Sequence, residues 1–532
     1  MAGIWDEGYM SYHGRSYGRE DDFFFTIMDN SCRKKSAETI VPGYELIGEG
    51  SNLNQVRSNE SYPMKERKQN ISNNQETYPQ KNRTASESYM GGQTYIGISE
   101  NTLTNNHFTK YGLMEFILSP SNLNQAYLRV KSNQGVGGVD KMEVESLKSY
   151  LSTYKESLIS SIYQGKYCPN PVLRVAIPKE NGSKRLLGIP TVVDRVIQQA
   201  ITQVLSPVYE KQFSSDSYGF RPGRSAHRAL RKCAQYINEG YRYAVDMDLE
   251  KFFDTVNHSK LIEVLSRTIK DGRVVSLIHK YLNAGVLNQG EYEPVLQGVP
   301  QGGPLSPLLS NILLNELDKE LERRGHKFVR YADDLMILCK SKRSAQRTLE
   351  NILPFIENKL FLKVNRDKTH VTYVRNVKFL GYSFYIMNGQ CRLRIHPKSV
   401  LKLKTKLKLL TKRSNGLSNE GRKESLRQFI TGWIQYFKYA DMNQLLTEID
   451  EWLRRRIRMV IWKQWKRIRT KVTNLIQLGV KKSKAWEWAN TRKGYWHTAG
   501  SFILHTTITS ERLKKAGYIT LQDYYRNVRV EY

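Results

Sequence analysis

Strict alternation of apolar and polar residues marks the segment YAVDMD at residues 243–248. A period of two is typical of a β-strand, whose successive side chains point to opposite faces of a sheet. The pattern predicts a strand with Tyr243, Val245 and Met247 on one face and Asp246 and Asp248 on the other. Two carboxylates therefore share one face of this strand near its end.

A second strand signal surrounds an acidic pair in the segment FVRYADDLMIL at residues 328–338. Two short apolar runs flank a polar centre, which predicts a β-hairpin with Asp333 and Asp334 at its bend. An Asp-Asp pair alone is common in surface turns and indicates no function. Its meaning depends on which other residues converge on it.

Helical periodicity is clear toward the end of the chain. One apolar stripe recurs at positions i, i+3, i+4, i+7, i+8 and i+11 and comprises Leu426, Phe429, Ile430, Trp433, Ile434 and Phe437. This spacing predicts an amphipathic helix. A second helical stripe follows it and comprises Leu445, Ile449, Trp452, Leu453, Val460 and Ile461.

The opposite surface of the second predicted helix is basic. Its cations are Arg454, Arg455, Arg456, Arg458, Lys463, Lys466, Arg467 and Arg469. A solvated charged face is one explanation of such a run. No acidic residue interrupts it, however, and Trp462 and Trp465 lie among the basic residues. This mixture favours binding of a phosphate backbone together with stacking on bases.

The whole chain is strongly basic, with 83 Lys and Arg against 51 Asp and Glu and a net charge of +32 over 532 residues. Such an excess indicates a polyanionic partner, and nucleic acid is favoured over a membrane surface because no long apolar run is present. The five cysteines are widely spaced and predict neither disulfides nor a zinc site. With acidic residues near the N-terminus in place of a signal peptide, a cytoplasmic location is expected.

Residues 1–106 differ in composition from the rest of the chain. From residue 51 onward this segment is crowded with Asn, Ser, Gln, Thr, Glu and Lys and has no helical or strand period. Such a segment cannot bury enough apolar surface to offset the entropy of ordering it, so a disordered extension is predicted. An RNA-binding tail is the alternative.

The carboxylates suggest metal chemistry. Nucleotidyl transfer requires an activated 3′-hydroxyl and a stabilised pyrophosphate, and two Mg²⁺ ions held by a few carboxylates provide both. Asp333 and Asp334 supply two of these carboxylates. The strand before them supplies a third, which the alternation alone leaves open between Asp246 and Asp248.

Four sequence blocks resemble those of group II intron-encoded reverse transcriptases, also called maturases. They are YGFRPGRS at residues 218–225, DLEKFFD at 248–254, QGVPQGGPLSP at 297–307 and YADD at 331–334. The blocks occur in the order found in that family. The resemblance extends over about four fifths of the chain and leaves out roughly the first hundred residues.

This resemblance assigns the metal-binding triad to Asp248, Asp333 and Asp334, with the backbone carbonyl of Leu249 as a further ligand. Asp248 is chosen over its neighbour because reverse transcriptases carry a bulky residue five positions after the catalytic aspartate. That position is Phe253, whose ring would exclude a ribose 2′-hydroxyl and so favour deoxynucleotides. A core aromatic is the alternative for Phe253.

The resemblance also implies a nucleotide-binding set. Lys179 and Arg185 match the finger residues that hold the incoming triphosphate, although Lys179 could equally be an exposed turn lysine. Gln301 matches a glutamine near the primer terminus and the nucleotide sugar. The segments that contain Lys368 and Phe379 resemble the closing palm blocks, where packing and primer grip are expected instead of catalysis.

The expected fold class is α+β: a right-hand polymerase with fingers and palm at residues 107–385, an α-helical thumb or maturase domain at 386–448, and a helical, basic, DNA-binding region at 449–532. Within the basic run, we expect nucleic-acid contacts from Arg454, Arg455, Arg458, Lys463, Lys466 and Arg467.

The expected function is that of an RNA-directed DNA polymerase that copies intron RNA and assists its splicing and mobility. Two Mg²⁺ ions are expected as cofactors, with Mn²⁺ able to substitute, and the partners are group II intron RNA, target and primer DNA, and deoxynucleoside triphosphates. A host-adapted relative acting in defence or DNA repair is the alternative. No cysteine- and histidine-rich cluster follows Cys391, so no endonuclease activity is expected. A bacterial cytoplasm or nucleoid is the expected location.

Overall fold

The computed structural model describes residues 112–178 and 184–529. The extension predicted for residues 1–106 and the predicted triphosphate contact Lys179 lie outside these ranges. Within them, helices and strands are mixed along the chain, as the predicted α+β class requires. None of the helices described is long and apolar enough to cross a membrane.

In the described chain from residue 112 onward, three α-helices precede β1: α1 (Leu113–Ile117), α2 (Pro120–Asn133) and α3 (Leu147–Tyr163). Helix α2 begins where the Ser119 hydroxyl accepts a hydrogen bond from the Asn122 N–H and a proline occupies the first turn, two features that favour helix initiation. It packs against α4 (Val192–Glu210), which begins at a Thr191 cap.

A four-stranded sheet follows, with strand order β2-β1-β4-β5. Its strands are β1 (Val172–Pro178), β2 (Lys184–Ile189), β4 (Val286–Asn288) and β5 (Glu291–Glu293). Strands β1 and β2 form an antiparallel pair, whereas β4 joins β1 in parallel from more than a hundred residues further along the chain. The predicted triphosphate contact Arg185 lies on β2 opposite Ile177.

The central sheet has the order β6-β7-β3-β8 and is antiparallel throughout. Its strands are β3 (Tyr243–Met247), β6 (Lys327–Tyr331), β7 (Asp334–Cys339) and β8 (His370–Tyr373). The predicted strand and the predicted hairpin are therefore both confirmed, except that Asp334 is the first residue of β7 and Asp333 alone of the two lies in the bend. Val245 packs into one hydrophobic core and Ala244 into another, so the strand is covered on both faces.

Further helices lie before and between the strands of the central sheet in chain order. They are α5 (Ala226–Asn238), α6 (Phe252–Thr255), α7 (His258–Thr268), α8 (Gly272–Leu282), α9 (Ser306–Arg323) and α10 (Lys342–Asn358). Helices α4 and α7 to α10 contribute to the first core, and α5 contributes to the second. Helices α5 and α10 therefore pack against opposite faces of the central sheet.

A hairpin of β9 (Tyr382–Met387) and β10 (Gln390–Ile395) leads into a helical region. Its longer helices are α11 (Pro397–Leu410), α12 (Asn419–Phe437), α13 (Asn443–Gln464) and α14 (Ile468–Gln477). Shorter helices follow: α15 (Lys482–Ala489), α16 (Tyr495–Ala499), α17 (Phe502–Thr507), α18 (Ser510–Lys515) and α19 (Leu521–Val528).

The predicted apolar stripe of α12 is confirmed, since all six of its side chains, from Leu426 to Phe437, are buried. They share the second core with α5, α13 and the short helices that follow. Burial of each large side chain contributes about 1.5–3 kcal/mol, which makes this stripe the main anchor of α12.

Candidate active site

Two acidic residues lie at neighbouring strand ends of the central sheet. Asp334 opens β7 and pairs with Tyr331 across the hairpin, while Met247 at the end of β3 pairs with Leu335. Asp248 follows Met247 directly and therefore lies beside Asp334. Opposite residues of an antiparallel pair point to the same face, so both carboxylates belong to one face of the sheet.

Asp246 lies further inside the sheet. It is paired with Met336 on one side and with His370 on the other, one register step away from the strand end. Asp248 is at the end itself and is 7% exposed. Of the two candidates for the third carboxylate, Asp248 is the one next to the hairpin bend.

The loop that leads into β8 holds the Asp248 backbone through both its N–H and its carbonyl group. The Asp248 N–H donates to the Thr369 hydroxyl at 3.1 Å, and the Asp248 carbonyl accepts from the Asn365 N–H at 2.8 Å. The Lys368 ammonium lies 3.3 Å from the Asp248 carboxylate. Lys368 was expected to serve packing and primer grip, and its contact with the carboxylate is a feature that the sequence did not reveal.

The hairpin bend itself consists of Ala332 and Asp333, and Ala332 has a φ of 55°. A left-handed conformation is costly for alanine, so neighbouring groups must hold it. The buried Arg330 guanidinium donates to the Ala332 carbonyl at 2.9 Å. It also forms an ion pair with Asp318 of α9 at 2.5 Å and donates to the Asn311 side chain at 2.9 Å.

The segment before α5 packs along the outer side of this bend. The Tyr218 N–H donates to the Arg330 carbonyl at 2.8 Å, and the Asn311 amide donates to the Gly219 carbonyl at 2.9 Å. A Cβ atom at Gly219 would overlap the backbone of Ala332. Glycine is therefore required here for close packing, and the glycine of the YGFRPGRS block supports the bend that carries Asp333.

The predicted sugar-screening residue is linked to the predicted glutamine through one loop. Phe253 is partly buried, its ring meets that of Phe252 edge-on at 5.3 Å, and its carbonyl accepts from the Val299 N–H at 2.6 Å. Two residues later, the Gln301 carbonyl accepts from the Gly188 N–H of β2 at 2.7 Å.

Gly302 makes this last contact possible. Its φ is 130°, and a Cβ atom there would lie 2.5 Å from the Gly188 carbonyl oxygen. The loop thus joins the strand that carries Arg185 to the segment that carries Phe253. These hydrogen bonds connect Arg185, Phe253 and Gln301, the described members of the predicted nucleotide-binding set.

The metal-binding capacity of the site rests on its donor chemistry. Among the described residues, no three His, Cys, Asp or Glu side chains are gathered closely enough to hold a metal ion. One of the predicted carboxylate ligands, that of Asp248, faces the Lys368 ammonium at 3.3 Å. The oxygen donors of Asp248, Asp333 and Asp334 are nevertheless the type that Mg²⁺ prefers.

The structure corrects part of the predicted nucleic-acid-binding set. Arg458 was expected on the exposed basic face, but it is 4% exposed and donates to the Ile508 carbonyl at 2.8 Å. Arg456 is likewise buried and donates to Thr411. These two arginines fix α13 against its neighbours, because a buried guanidinium must find acceptors inside the protein.

Trp462 is a second correction, since it is 1% exposed and cannot stack on a base in this conformation. The remaining predicted cations are accessible to different degrees: Arg454, Arg455 and Lys463 are half-buried, and Lys466 and Arg467 are exposed. The Arg455 guanidinium lies 4.0 Å from the centroid of the Trp496 ring. The accessible part of the basic face therefore lies toward the C-terminal end of α13 and beyond.

Comparisons with known proteins agree with this architecture. Residues 177–384 match the family model for reverse transcriptase (RNA-dependent DNA polymerase), and residues 400–478 match that for the group II intron maturase-specific domain. Protein YkfC of Escherichia coli K12 is 33% identical over 311 residues, which cover 51% of this chain and 82% of YkfC. The group II intron-encoded protein LtrA of Lactococcus lactis is 31% identical over 355 residues, which cover 54% of this chain and 59% of LtrA.

Solved structures give more distant similarities. A telomerase from Candida albicans has 15% identity and a TM-score of 0.35 over 65% of this chain and 70% of its own. A partial Cas6-RT-Cas1–Cas2 complex has 25% identity and a TM-score of 0.30 over 46% of this chain and 43% of its own.

The class defined by the family match is that of the reverse transcriptases, in agreement with the predicted fold and enzyme class. Within it, the chain belongs to the group II intron reverse transcriptases that carry a maturase domain. Membership implies dependence on a divalent metal ion, nucleic-acid and deoxynucleotide substrates, and binding of intron RNA.

Proposed function

We propose that this chain copies group II intron RNA into DNA and assists the splicing and mobility of that RNA. The main support for this proposal is that Asp248 and Asp334 lie side by side at adjacent strand ends, next to the bend that presents Asp333. The maturase match at residues 400–478 favours the splicing role over a host-adapted function in defence or repair.

In the proposed reaction, Asp248, Asp333 and Asp334 would hold two Mg²⁺ ions, with the Leu249 carbonyl as a further ligand. Bound Mg²⁺ would supply the Lewis acidity that activates the primer hydroxyl and stabilises the departing pyrophosphate. The part played by the chain is to hold the ligand-bearing backbone rigid, and Arg330 and the Asn365–Asp248 hydrogen bond do so at the two strand ends.

Nucleotide binding is proposed for Arg185 and Gln301, which the Gly188–Gln301 hydrogen bond connects, and for Lys179. Arg185 on β2 and Lys179 would neutralise the triphosphate, since two cations complement the charge that the metal ions leave uncompensated. Gln301 would contact the nucleotide near the primer terminus. Its position is supported by the hydrogen bond between its carbonyl and β2.

The direct test is extension of a DNA primer on an RNA template by the purified full chain with Mg²⁺ and deoxynucleotides. We expect template-dependent extension that stops when excess chelator is added and resumes with Mg²⁺ or Mn²⁺. A matched reaction with ribonucleotides should give little product. Extension that continues in excess chelator would contradict the metal mechanism.

Phe253→Ala is expected to raise ribonucleotide incorporation relative to deoxynucleotide incorporation by roughly 10–100-fold, which corresponds to about 1.4–2.7 kcal/mol of relieved steric overlap. Phe253→Tyr keeps the ring and should retain the preference of the unaltered protein. The kcat/KM ratio for the two sugars measures the effect. An unchanged ratio in Phe253→Ala would mean that another residue screens the 2′-hydroxyl.

A further inference from the structure

A second basic surface is centred on α5, outside the basic run of α13. We call it the α5 basic belt. It comprises Arg224, Arg228, Arg231 and Lys232 on and just before α5, together with Lys327, Lys340 and Lys438 from neighbouring elements. Arg228, Arg231 and Lys340 are exposed and the other four are half-buried. None of these residues belongs to the predicted nucleic-acid-binding set.

At one end of the belt, lysine ammonium groups lie over two tyrosine rings. The Lys232 and Lys327 ammonium groups lie 4.6 and 5.6 Å from the centroid of the Tyr236 ring. Lys340 lies 5.5 Å from the Tyr241 ring, and the two tyrosine rings are 6.3 Å apart. Three cations from α5, β6 and the end of β7 are therefore brought together over two touching rings.

The other end of the belt reaches the junction with α12. The Arg231 guanidinium lies 4.8 Å from the centroid of the Tyr439 ring and donates to its hydroxyl, and Lys438 lies 5.9 Å from the same ring. Burial lowers the pKa of His227, and the charges of Lys438 and Arg231 lower it further. The cations at this end are thus close enough to act on one imidazole.

One acidic residue, Asp216, partly neutralises one end of the belt through an ion pair with Lys232. The Asp216 side chain is 13% exposed, accepts a hydrogen bond from the Tyr236 hydroxyl at 2.6 Å and lies 4.0 Å from Lys232. In the described part of the chain, Arg228 donates to the Gly223 carbonyl and Arg231 contacts Tyr439, and neither forms an ion pair with a carboxylate. Arg228 and Arg231 therefore present positive charge that no carboxylate of the described chain pairs.

This arrangement suits phosphate groups better than a protein partner. The centre of a protein interface is depleted of charge and rich in exposed apolar or aromatic surface, whereas the rings of the belt are covered by cations. Arg228 and Arg231 are three residues apart in α5, so they follow each other at about 4.5 Å along the helix axis and can face neighbouring phosphates of one strand. Contacts between cations and rings also reduce the entropy lost when the side chains bind.

We propose that the α5 basic belt binds the phosphate backbone of structured RNA and forms a surface separate from the basic face of α13. This proposal rests on the proposed function, because it assigns a further contact region to the same RNA partner. Recognition would follow backbone position and shape with little base specificity, as expected for large folded RNAs.

The test compares two charge-matched double variants of the full chain. Arg228→Gln with Arg231→Gln removes two belt charges, and Arg343→Gln with Arg347→Gln removes two exposed charges from α10 on the opposite face of the sheet. The probes are an RNA hairpin with a blocked 3′ end and a DNA hairpin of the same sequence, titrated at several salt concentrations. Thermal melting verifies that both variants fold.

The belt variant should bind the RNA hairpin about 10-fold more weakly, and the slope of log affinity against log salt should fall by about 2, one for each lost phosphate contact. The α10 variant should match the unaltered protein. Arg228→Lys with Arg231→Lys should recover the slope. Extension of a short primer–template at saturating substrate should be unchanged in the belt variant.

Three outcomes would overturn the proposal: equal losses in both double variants, a loss confined to the DNA hairpin, or slowed extension of the short primer–template. The first would mean a general charge effect, the second a DNA surface, and the third a part of the polymerase cleft. If the unaltered protein fails to bind RNA or to extend a primer, the proposed function is wrong. If it does both and the belt variant binds RNA normally, only the belt proposal is wrong.

Discussion

Asp333→Ala is expected to reduce extension of a DNA primer by about 10³-fold or more, because the loss of one carboxylate ligand removes charge stabilisation that acts mainly in the transition state. Binding of RNA should be unaffected. The bend is held by Arg330 through the Ala332 carbonyl and by the close packing of Gly219, so truncation of the Asp333 side chain leaves those supports in place.

The Asp333→Ala variant should therefore lose polymerase activity while its free energy of unfolding changes little. A substitution at a half-buried turn position usually changes the free energy of unfolding by less than about 0.5 kcal/mol. Glu350→Ala on α10 removes an exposed carboxylate and provides the control, which should extend primers at the normal rate. Single-turnover extension, thermal melting and RNA titration together measure the effect. Near-normal extension by Asp333→Ala would show that the metal ligands lie elsewhere.

The parts of this site that could be predicted from sequence are those with a local signal. Alternation over six residues predicted β3, and two apolar runs predicted the hairpin that brings Asp333 to its bend. Because a strand's period of two is a local property, the faces of Asp246 and Asp248 were also predictable. The alternation alone left both residues open, and the family resemblance favoured Asp248. The register with β7, which pairs residues almost ninety positions apart, places Asp248 beside the hairpin bend.

Burial of basic residues could not be predicted in the same way. Arg458 and Arg467 belong to one uninterrupted basic run, yet Arg458 is buried because Ile508, fifty residues later, offers it a carbonyl. No feature near Arg458 reports that contact. The α5 basic belt likewise depends on a contact between distant parts of the chain, because Arg231 packs against Tyr439, which lies about two hundred residues later. Long-range packing decides which cations remain available to a partner.

The support of the bend by Arg330 also depends on contacts between distant elements. Arg330 is 1% exposed, and its partner Asp318 is fully buried on α9. One guanidinium therefore links α9, the Asn311 side chain and the Ala332 carbonyl. Arg330 is therefore expected to contribute both to the stability of the fold and to the position of the bend that presents Asp333. Substitution of Arg330 together with Asp318 can separate the two contributions.

Arg330→Met is expected to lower the free energy of unfolding by about 3–5 kcal/mol, because it leaves the Asp318 carboxylate buried without its counter-charge. Arg330→Met combined with Asp318→Leu removes both charges and should recover most of that stability. The double variant still lacks the donor to the Ala332 carbonyl, so extension should remain slow, with a lower kcat and a higher Mg²⁺ requirement. Urea unfolding and Mg²⁺ titrations of extension measure the two effects.

If the double variant recovers extension as well as stability, Arg330 supports only the fold. If stability returns while kcat and the Mg²⁺ requirement do not, the buried guanidinium positions the bend that presents Asp333.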